Sequence, residues 1–527
     1  MAPIVERTRA AVDRIRTHAS GHSLATQLAT GAAWLAAALV LTALYTRLSM
    51  TSAISSDQAN QALQGLDISR GNVLLRGWTL STVSFYVPDL LLYALVIPLA
   101  GLLPMSIHLV NALVYAMAVV AAMVLAAGAR GAHHRLAAGL VAGVLLVAPP
   151  LGLGVTMLLV GGSHVGVGLL WLLCVLVLDR SRRAFPALVV FGVILTVAVI
   201  SDGLAYAIAA APITLVCGLR LWRRHAWRAY EVGLLATTAI AVGLSLAIAR
   251  GARAAHGASI YRLSPTLASI EDVPRYARSA IDGGLTMFGT VQGEGSGALG
   301  YVAVVVHGLG LAFVLAVVVY IAWRWVLRRE DDLVNELLLV SILSDLGAFV
   351  LISHVDTNKY LIPAFFCSAV LAGRVGTDFL ARRGPRVAAA GVALAYFVIL
   401  FVNLGAPVAP TSTAWEAWLL DHQLYSGLGS YWQSSAATVE TGGRLHIVAI
   451  VSDGATAGGY AWESNASWFN EAELGDVRFV VFDVTDHRFG IDRASMERVF
   501  GPATDVERFG NVEVLVWDRN LAPSLRH

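Results

Sequence analysis

SMTSAISSDQANQALQGLDISRGNVLLRGWTLSTVSFYVPD, residues 49–89, is a polar stretch set directly behind the first long apolar segment, and the rest of the chain is organised around it. It leaves the apolar run with an acid, Asp57, only a few residues past the end, and returns through Trp78, Phe85, Tyr86 and Pro88. A carboxylate at membrane level is costly unless it is paired or faces a water-filled cavity, which makes Asp57 a candidate functional residue. The plain alternative is an interfacial acid that caps a loop.

Outward from this stretch the composition is that of a membrane protein. The chain is 57% hydrophobic and 14% charged, with a mean hydropathy of +0.69. Apolar runs recur from Leu24 to Leu404, each long enough, or nearly so, to cross roughly 30 Å of hydrocarbon as a helix. The first is long and lacks a small-residue cleavage site, so it reads as a retained helix. Cys174, Cys217 and Cys367 all lie inside apolar runs, which argues against a disulfide framework or a metal cluster. No phosphate-binding glycine fingerprint and no metal-ligand spacing occurs, and nothing suggests a nucleic-acid partner. The strong bases are arginine throughout except for Lys359, the only lysine. An Arg-, Ala- and Val-rich chain of this kind suggests a GC-rich bacterial genome, and a retained lysine hints at a need for a compact ammonium, although chance survival explains it equally well.

Arginine clusters set the orientation. Arg7, Arg9, Arg14 and Arg16 place the N-terminal segment, residues 1–23, in the cytoplasm; the clusters at 179–183, 220–228, 324–329 and 382–386 should lie on the same side. Parity then requires one upstream segment not to cross. The segment 88–103 is short and bracketed by Pro88, Pro98 and Pro104, and reads as a helix lying at the outer face. The expected fold is an α-helical polytopic membrane protein with about eleven spans over residues 24–408, N-terminus inside. Its outer loops at 49–105 and 251–300 collect the polar residues, and a small extracytoplasmic α/β domain at 409–527 follows. In that domain Leu445–Val451, Val477–Phe482 and Val512–Trp517 read as strands, and Asp492–Phe500 as a helix. Its many aromatics, among them Tyr431, Trp432, Tyr460, Trp462 and Trp468, suit either sugar stacking or anchoring at the headgroups.

With this topology the outer face carries Asp57, Asp67, Arg70, Arg76 and Asp89 in the first loop, a turn at His164, Asp202, and the stretch His354-Val355-Asp356-Thr357-Asn358-Lys359-Tyr360. A loop acid above a helical bundle suits general-base work on an acceptor hydroxyl, and a leaving group that develops negative charge needs a nearby cation. Lys359, Arg70 and Arg76 are the candidates for a donor phosphate. Asp89, Asp202, His354, Asp356 and Tyr360 are candidates for the substrate cleft, with helix capping as the plain role for Asp202. Glu271, Asp272 and Arg275 open an expected amphipathic outer helix.

The order of a first helix, Ser56-Asp57-Gln58 in an outer loop, a helix opened by Pro88, many further helices and then Lys359-Tyr360-Leu361-Ile362-Pro363 resembles the polytopic GT-C glycosyltransferases. Protein O-mannosyltransferases and the lipid A aminoarabinose transferase are of this type. The tail, with Tyr431-Trp432, a Gly-Gly turn and a strand, is similar to that of actinobacterial members. The resemblance implies Asp57 as the catalytic acid of the first loop and a polyprenyl-phosphate sugar as donor. The acceptor would be a glycan, lipid or protein outside a bacterial cytoplasmic (inner) membrane. Many relatives have two adjacent acids where this chain has Asp57-Gln58, which argues against a divalent-metal requirement. Relatives also carry a basic residue with two prolines where this chain has Pro88-Asp89, shifting phosphate binding towards Arg70, Arg76 or Lys359. A transporter or flippase of a lipid-linked glycan is the rival class; it should show internal repeats and polar breaks at the midplane of both halves, and neither is found. A non-catalytic relative acting in cell-envelope assembly is the third reading.

Overall fold

The computed structural model describes residues 24–128, 132–147, 151–161, 164–181, 183–223, 228–261, 266–291, 298–352, 357–380, 383–410 and 413–526. The arginine-bearing N-terminal segment and the candidates His354 and Asp356 lie outside the described residues.

Helices stand at each stretch expected to cross, from Leu24–Ser49 to Arg383–Asn403. Seven helices among the described residues are long and apolar enough to span a membrane. Such segments satisfy their backbone groups internally, which the hydrocarbon demands. Burial ranks them: the span of Asn358–Leu380 is 94% buried, whereas those of Leu28–Ser49 and Pro385–Asn403 are 11% buried and present their sides to lipid. The helix Ile362–Leu380, entered through the 3-10 turn Asn358–Leu361, is therefore the axis of the bundle. It carries Lys359 and Tyr360 at one end and Arg374 at the other, about 22 Å apart at 1.5 Å per residue. At the Arg374 end the guanidinium bonds Asp179, Asp332 and Asn335, each at 3.0 Å, and Arg220 bonds Glu231 (2.7 Å) and Glu336 (2.8 Å). The arginine-rich ends thus gather on one side of the bundle, and Asp57 stands on the other.

The stretch 49–89 is largely ordered structure. After α1 (Leu24–Ser49) it forms α2 (Ser56–Ser69) and a short strand β1 (Trp78–Leu80). The chain then re-enters through a kinked turn at Tyr86–Leu90 into α3 (Leu91–Ala100). This Pro-bracketed helix is among those too short to be counted as spans, and α2 packs on it, with Gly65 against Tyr93. The expected amphipathic helix is present as Val273–Met287.

Beyond Thr413 the chain forms an α/β domain. A six-stranded sheet runs in the order β5-β4-β3-β7-β9-β8, from β3 (Ser426–Gly429), β4 (His446–Ser452), β5 (Ala457–Gly459), β7 (Phe479–Asp483), β8 (Asp505–Phe509) and β9 (Val512–Val516). Strands β4, β3 and β7 are parallel, and α4 (Tyr431–Glu440) crosses over from β3 to β4. The three expected strands and the helix Arg493–Phe500 are present; β3, β5 and β8 were not anticipated. Strand β3, sequence SGLG, carries no β-branched residue because it is central and crowded. A Cβ at Gly427 would fall on the Phe479 ring, and one at Gly429 would lie 3.0 Å from Ile447 and Val481.

A second, three-stranded sheet joins distant parts of the chain. Its order is β2-β1-β6, with β2 (Ser259–Ile260) from the loop at 251–300 and β6 (Ser464–Asn465) from the C-terminal domain. Thr79 of β1 pairs with Ser259 on one side and Ser464 on the other. Each strand is too short to stand alone, so this sheet is a junction, and it lies beside Asp57.

Candidate active site

Asp57 occupies the first turn of α2. The helix starts at a capping box, Ser55 to Gln58, in which Gln58 Oε1 accepts the Ser55 N–H at 2.5 Å. The unpaired N–H groups of that turn favour a carboxylate. Asp57 Oδ1 accepts a hydrogen bond from the Tyr431 hydroxyl at 2.7 Å, and Oδ2 stands 4.0 Å from Lys359 Nζ. The Tyr431 oxygen is in turn 2.8 Å from Glu463 Oε2. One carboxylate is thus held between the axial helix of the bundle and the C-terminal domain.

Asp57, Lys359 and Glu463 line a cavity of about 220 Å³, with Tyr431 behind the two acids. Ser81, Thr82, Val83 and Phe85 form its first-loop wall; Thr357, Lys359 and Tyr360 come from the axial turn, His164 from the Val165–Arg180 helix start, and Trp462 and Glu463 from the C-terminal domain. The turn bearing Lys359 is braced by the Val273–Met287 helix, where Ser279 Oγ donates to Asn358 Oδ1 at 3.1 Å. Tyr360 stacks on the His164 ring at a centroid separation of 4.3 Å. His164 Nδ1 bonds Asp202 Oδ2, and Asp202 Oδ1 accepts the Leu204 N–H at 2.8 Å. Asp202 therefore caps, as its position suggested, and also fixes the histidine that forms the cavity wall.

Of the three candidate cations only Lys359 reaches the cavity. Arg70 closes the C-terminus of α2 and Arg76 follows in the next turn; both are exposed and neither lines it. Asp89 is 6% exposed and sits under the Val165–Arg180 helix, where Gly166 leaves room for its carboxylate; it too is outside the lining. Asp67 is engaged by the Trp78 indole (2.8 Å) and Asn72 (2.7 Å), which fixes the approach to β1. Among the described residues no group of three His, Cys, Asp or Glu side chains gathers as a metal would require.

The residues that sequence reading missed are Tyr431 and Glu463. Tyr431 was one aromatic among many, and Glu463 carries no local signal. Burial first, and then the Asp57 charge, push the Glu463 carboxyl up to about 8. Burial and the two acids keep the Tyr431 phenol well above its ordinary range.

No protein-family model and no curated protein matches the sequence. Solved structures do. ArnT from Cupriavidus metallidurans in the apo state is 14% identical over 95% of this chain and 100% of its own, with a TM-score of 0.57. The same protein bound to undecaprenyl phosphate is 13% identical over 92% of this chain and 98% of its own, with a TM-score of 0.51. The Archaeoglobus fulgidus oligosaccharyltransferase complex with zinc and sulfate is 13% identical over 85% of this chain and 68% of its own, with a TM-score of 0.46. At such identity the likeness to ArnT is one of fold, and it extends over nearly the whole of both chains. This chain is a multi-pass membrane protein that shares the GT-C fold seen in ArnT.

Proposed function

We propose that the chain is a membrane glycosyltransferase that moves a sugar from a polyprenyl-phosphate donor to an acceptor hydroxyl outside a bacterial cytoplasmic membrane, inverting the anomeric centre. The observation that carries this reading is the placement of Asp57 and Lys359 in one cavity, a carboxylate and an ammonium 4.0 Å apart at the end of the bundle. As the acceptor oxygen attacks the anomeric carbon, Asp57 takes its proton. The bond from that carbon to the phosphate oxygen breaks, and the polyprenyl phosphate departs with the electron pair. Lys359 meets the negative charge that grows on the phosphate. The ArnT structure with undecaprenyl phosphate supports a lipid-phosphate leaving group for this fold. Asp202, His164 and Tyr360 hold the opposite wall in shape. The C-terminal domain belongs on the outer side in this reading, with the arginine-rich ends inside.

The test is transfer from a panel of radiolabelled polyprenyl-phosphate sugars in purified membranes, with Asp57→Asn alongside. Loss of at least about 100-fold in the variant, with donor binding and expression intact, is the expected result. Equal rates in both would remove Asp57 as the base, and no turnover with any donor would favour a non-catalytic or transport role.

A further inference from the structure

The Tyr431 hydroxyl lies between two carboxyl groups, 2.7 Å from Asp57 Oδ1 and 2.8 Å from Glu463 Oε2. A phenol has one proton to donate. It can serve one of these oxygens; the other contact is a hydrogen bond only if that carboxyl is itself protonated and donates to the phenol oxygen. The Asn60 amide, at 3.4 Å, is a further donor to that oxygen and supplies no acceptor.

Geometry decides which acid holds the proton. The Asp57 side chain keeps 28% of its surface exposed, lies in the first turn of α2 and has Lys359 beside it. Glu463 is 4% exposed, and the charge that acts on it most strongly is Asp57. Its backbone is also unusual. At φ 48 it occupies the left-handed region that side-chain-bearing residues rarely adopt. The following residues, Ser464 and Asn465, are pinned in β6 against β1, so the junction sheet holds Glu463 in place towards the cavity.

We propose that Tyr431 and Glu463 are positioning residues for the reaction: protonated Glu463 donates to the Tyr431 oxygen, and Tyr431 directs its own proton to Asp57 Oδ1. This rests on the reading of Asp57 as the base. It leaves Oδ2, the oxygen that faces Lys359, to accept the proton of the incoming hydroxyl. It also makes the C-terminal domain part of the site, because the two groups that orient the base come from α4 and from the residue before β6. The groups that face Glu463 or share its cavity are Asp57 from α2, Lys359 and Tyr360 from the axial turn, His164, Ser81 after β1, and Tyr431 and Tyr460 from its own domain. Ionising Glu463 would leave two carboxylates competing for one phenolic proton and place a second negative charge where phosphate must depart. Transfer therefore falls on the alkaline side.

The experiment compares kcat and KM against pH for the full-length protein and for Glu463→Gln, Glu463→Ala, Tyr431→Phe and Asp57→Asn. The Gln amide reproduces the donor of a protonated acid and cannot ionise. Glu463→Gln is expected to retain activity within about 3-fold near neutral pH and to lose the alkaline limb. Glu463→Ala and Tyr431→Phe are expected to fall about 10- to 100-fold in kcat with little change in KM. If Glu463→Gln is as impaired as Glu463→Ala, or keeps the wild-type alkaline limb, the pair does not act through a proton on Glu463. If Asp57→Asn retains transfer, the base assignment fails instead, and the two failures are distinct. Infrared difference spectra of wild type against Glu463→Gln give a readout that needs no donor. A protonated carboxyl present near neutral pH and lost on alkaline titration supports the proposal, and its absence near neutral pH overturns it.

Discussion

Ser435 donates its hydroxyl to the side-chain oxygen of Asn60 at 2.6 Å, joining residues 375 positions apart in the chain. Both are buried, and both lie one turn beyond a member of the Asp57–Tyr431 pair: Asn60 follows Asp57 on α2, and Ser435 follows Tyr431 on α4. The Ala436 N–H adds a longer bond to Ser56 Oγ at 3.4 Å. The position of Asp57 is therefore set by how the C-terminal domain docks.

Asn60→Leu tests this docking directly. It leaves the Ser435 hydroxyl buried without its acceptor, at a cost of about 1–3 kcal/mol. Limited proteolysis at the connection before Thr413 should become faster, and transfer should fall several-fold although no group that touches substrate has changed. Unaltered proteolysis together with unaltered transfer would show that the helix contact is dispensable.

Lys359→Met removes the only candidate cation that lines the cavity. Loss of a charge-assisted contact of about 1.5–3 kcal/mol corresponds to about a 10- to 100-fold fall in kcat/KM. Lys359→Arg should recover part of it, since the charge returns on a broader, planar group. Steady-state kinetics with the donor identified by the transfer assay give the answer, and a variant within 2-fold of wild type would remove Lys359 from phosphate binding.

Much of this molecule was legible in the residues. Hydrophobic runs marked the helices, and β-branched runs marked β4, β7 and β9, because each is a local pattern of one period. The polar stretch 49–89 was read as a loop around Asp57, yet it folds as α2 and β1, and the Ser55-x-x-Gln58 capping box was the available signal. Strand β3 escaped because its neighbours demand glycine where a strand ordinarily shows branched side chains. The site was half legible. Asp57 and Lys359 follow from charge placed at membrane level, but Tyr431 reaches Asp57 through the packing of α4 on α2, and Glu463 reaches the cavity through pairing of β1 with β6, contacts with no counterpart in local sequence.

At the far end of the axial helix, Arg374→Met should destabilise the bundle without touching the cavity. The guanidinium is 5% exposed and holds Asp179, Asp332, Asn335 and the Leu125 carbonyl together. Removing it leaves the buried Asp179 carboxylate with only the exposed Arg180 at 4.0 Å, a loss of up to about 3–5 kcal/mol. Detergent-solubilised protein should melt well below wild type, while KM for the donor in the folded fraction stays unchanged. A variant as stable as wild type would mean that the acids there are solvated on their own.

The last prediction concerns pH and the C-terminal domain. Burial, with Glu416 beside it, pushes the Glu440 carboxyl up to about 9. In the unfolded chain the same group releases its proton at an ordinary carboxylate pKa. Between those two values the folded state binds more protons than the unfolded one, so stability is greatest on the acid side of this window and declines as pH rises through it. Glu440→Gln removes the titration while keeping the shape, so it should be more stable than wild type near pH 8 by on the order of 1 kcal/mol, or a few degrees in Tm. The difference should vanish at about pH 3, where wild-type Glu440 is protonated in both states. His108 shares the cleft with Glu440, so the comparison is repeated in His108→Gln to separate its contribution. Melting curves of wild type and Glu440→Gln that stay parallel from pH 4.5 to 9 would mean that this carboxyl is ionised in the folded protein.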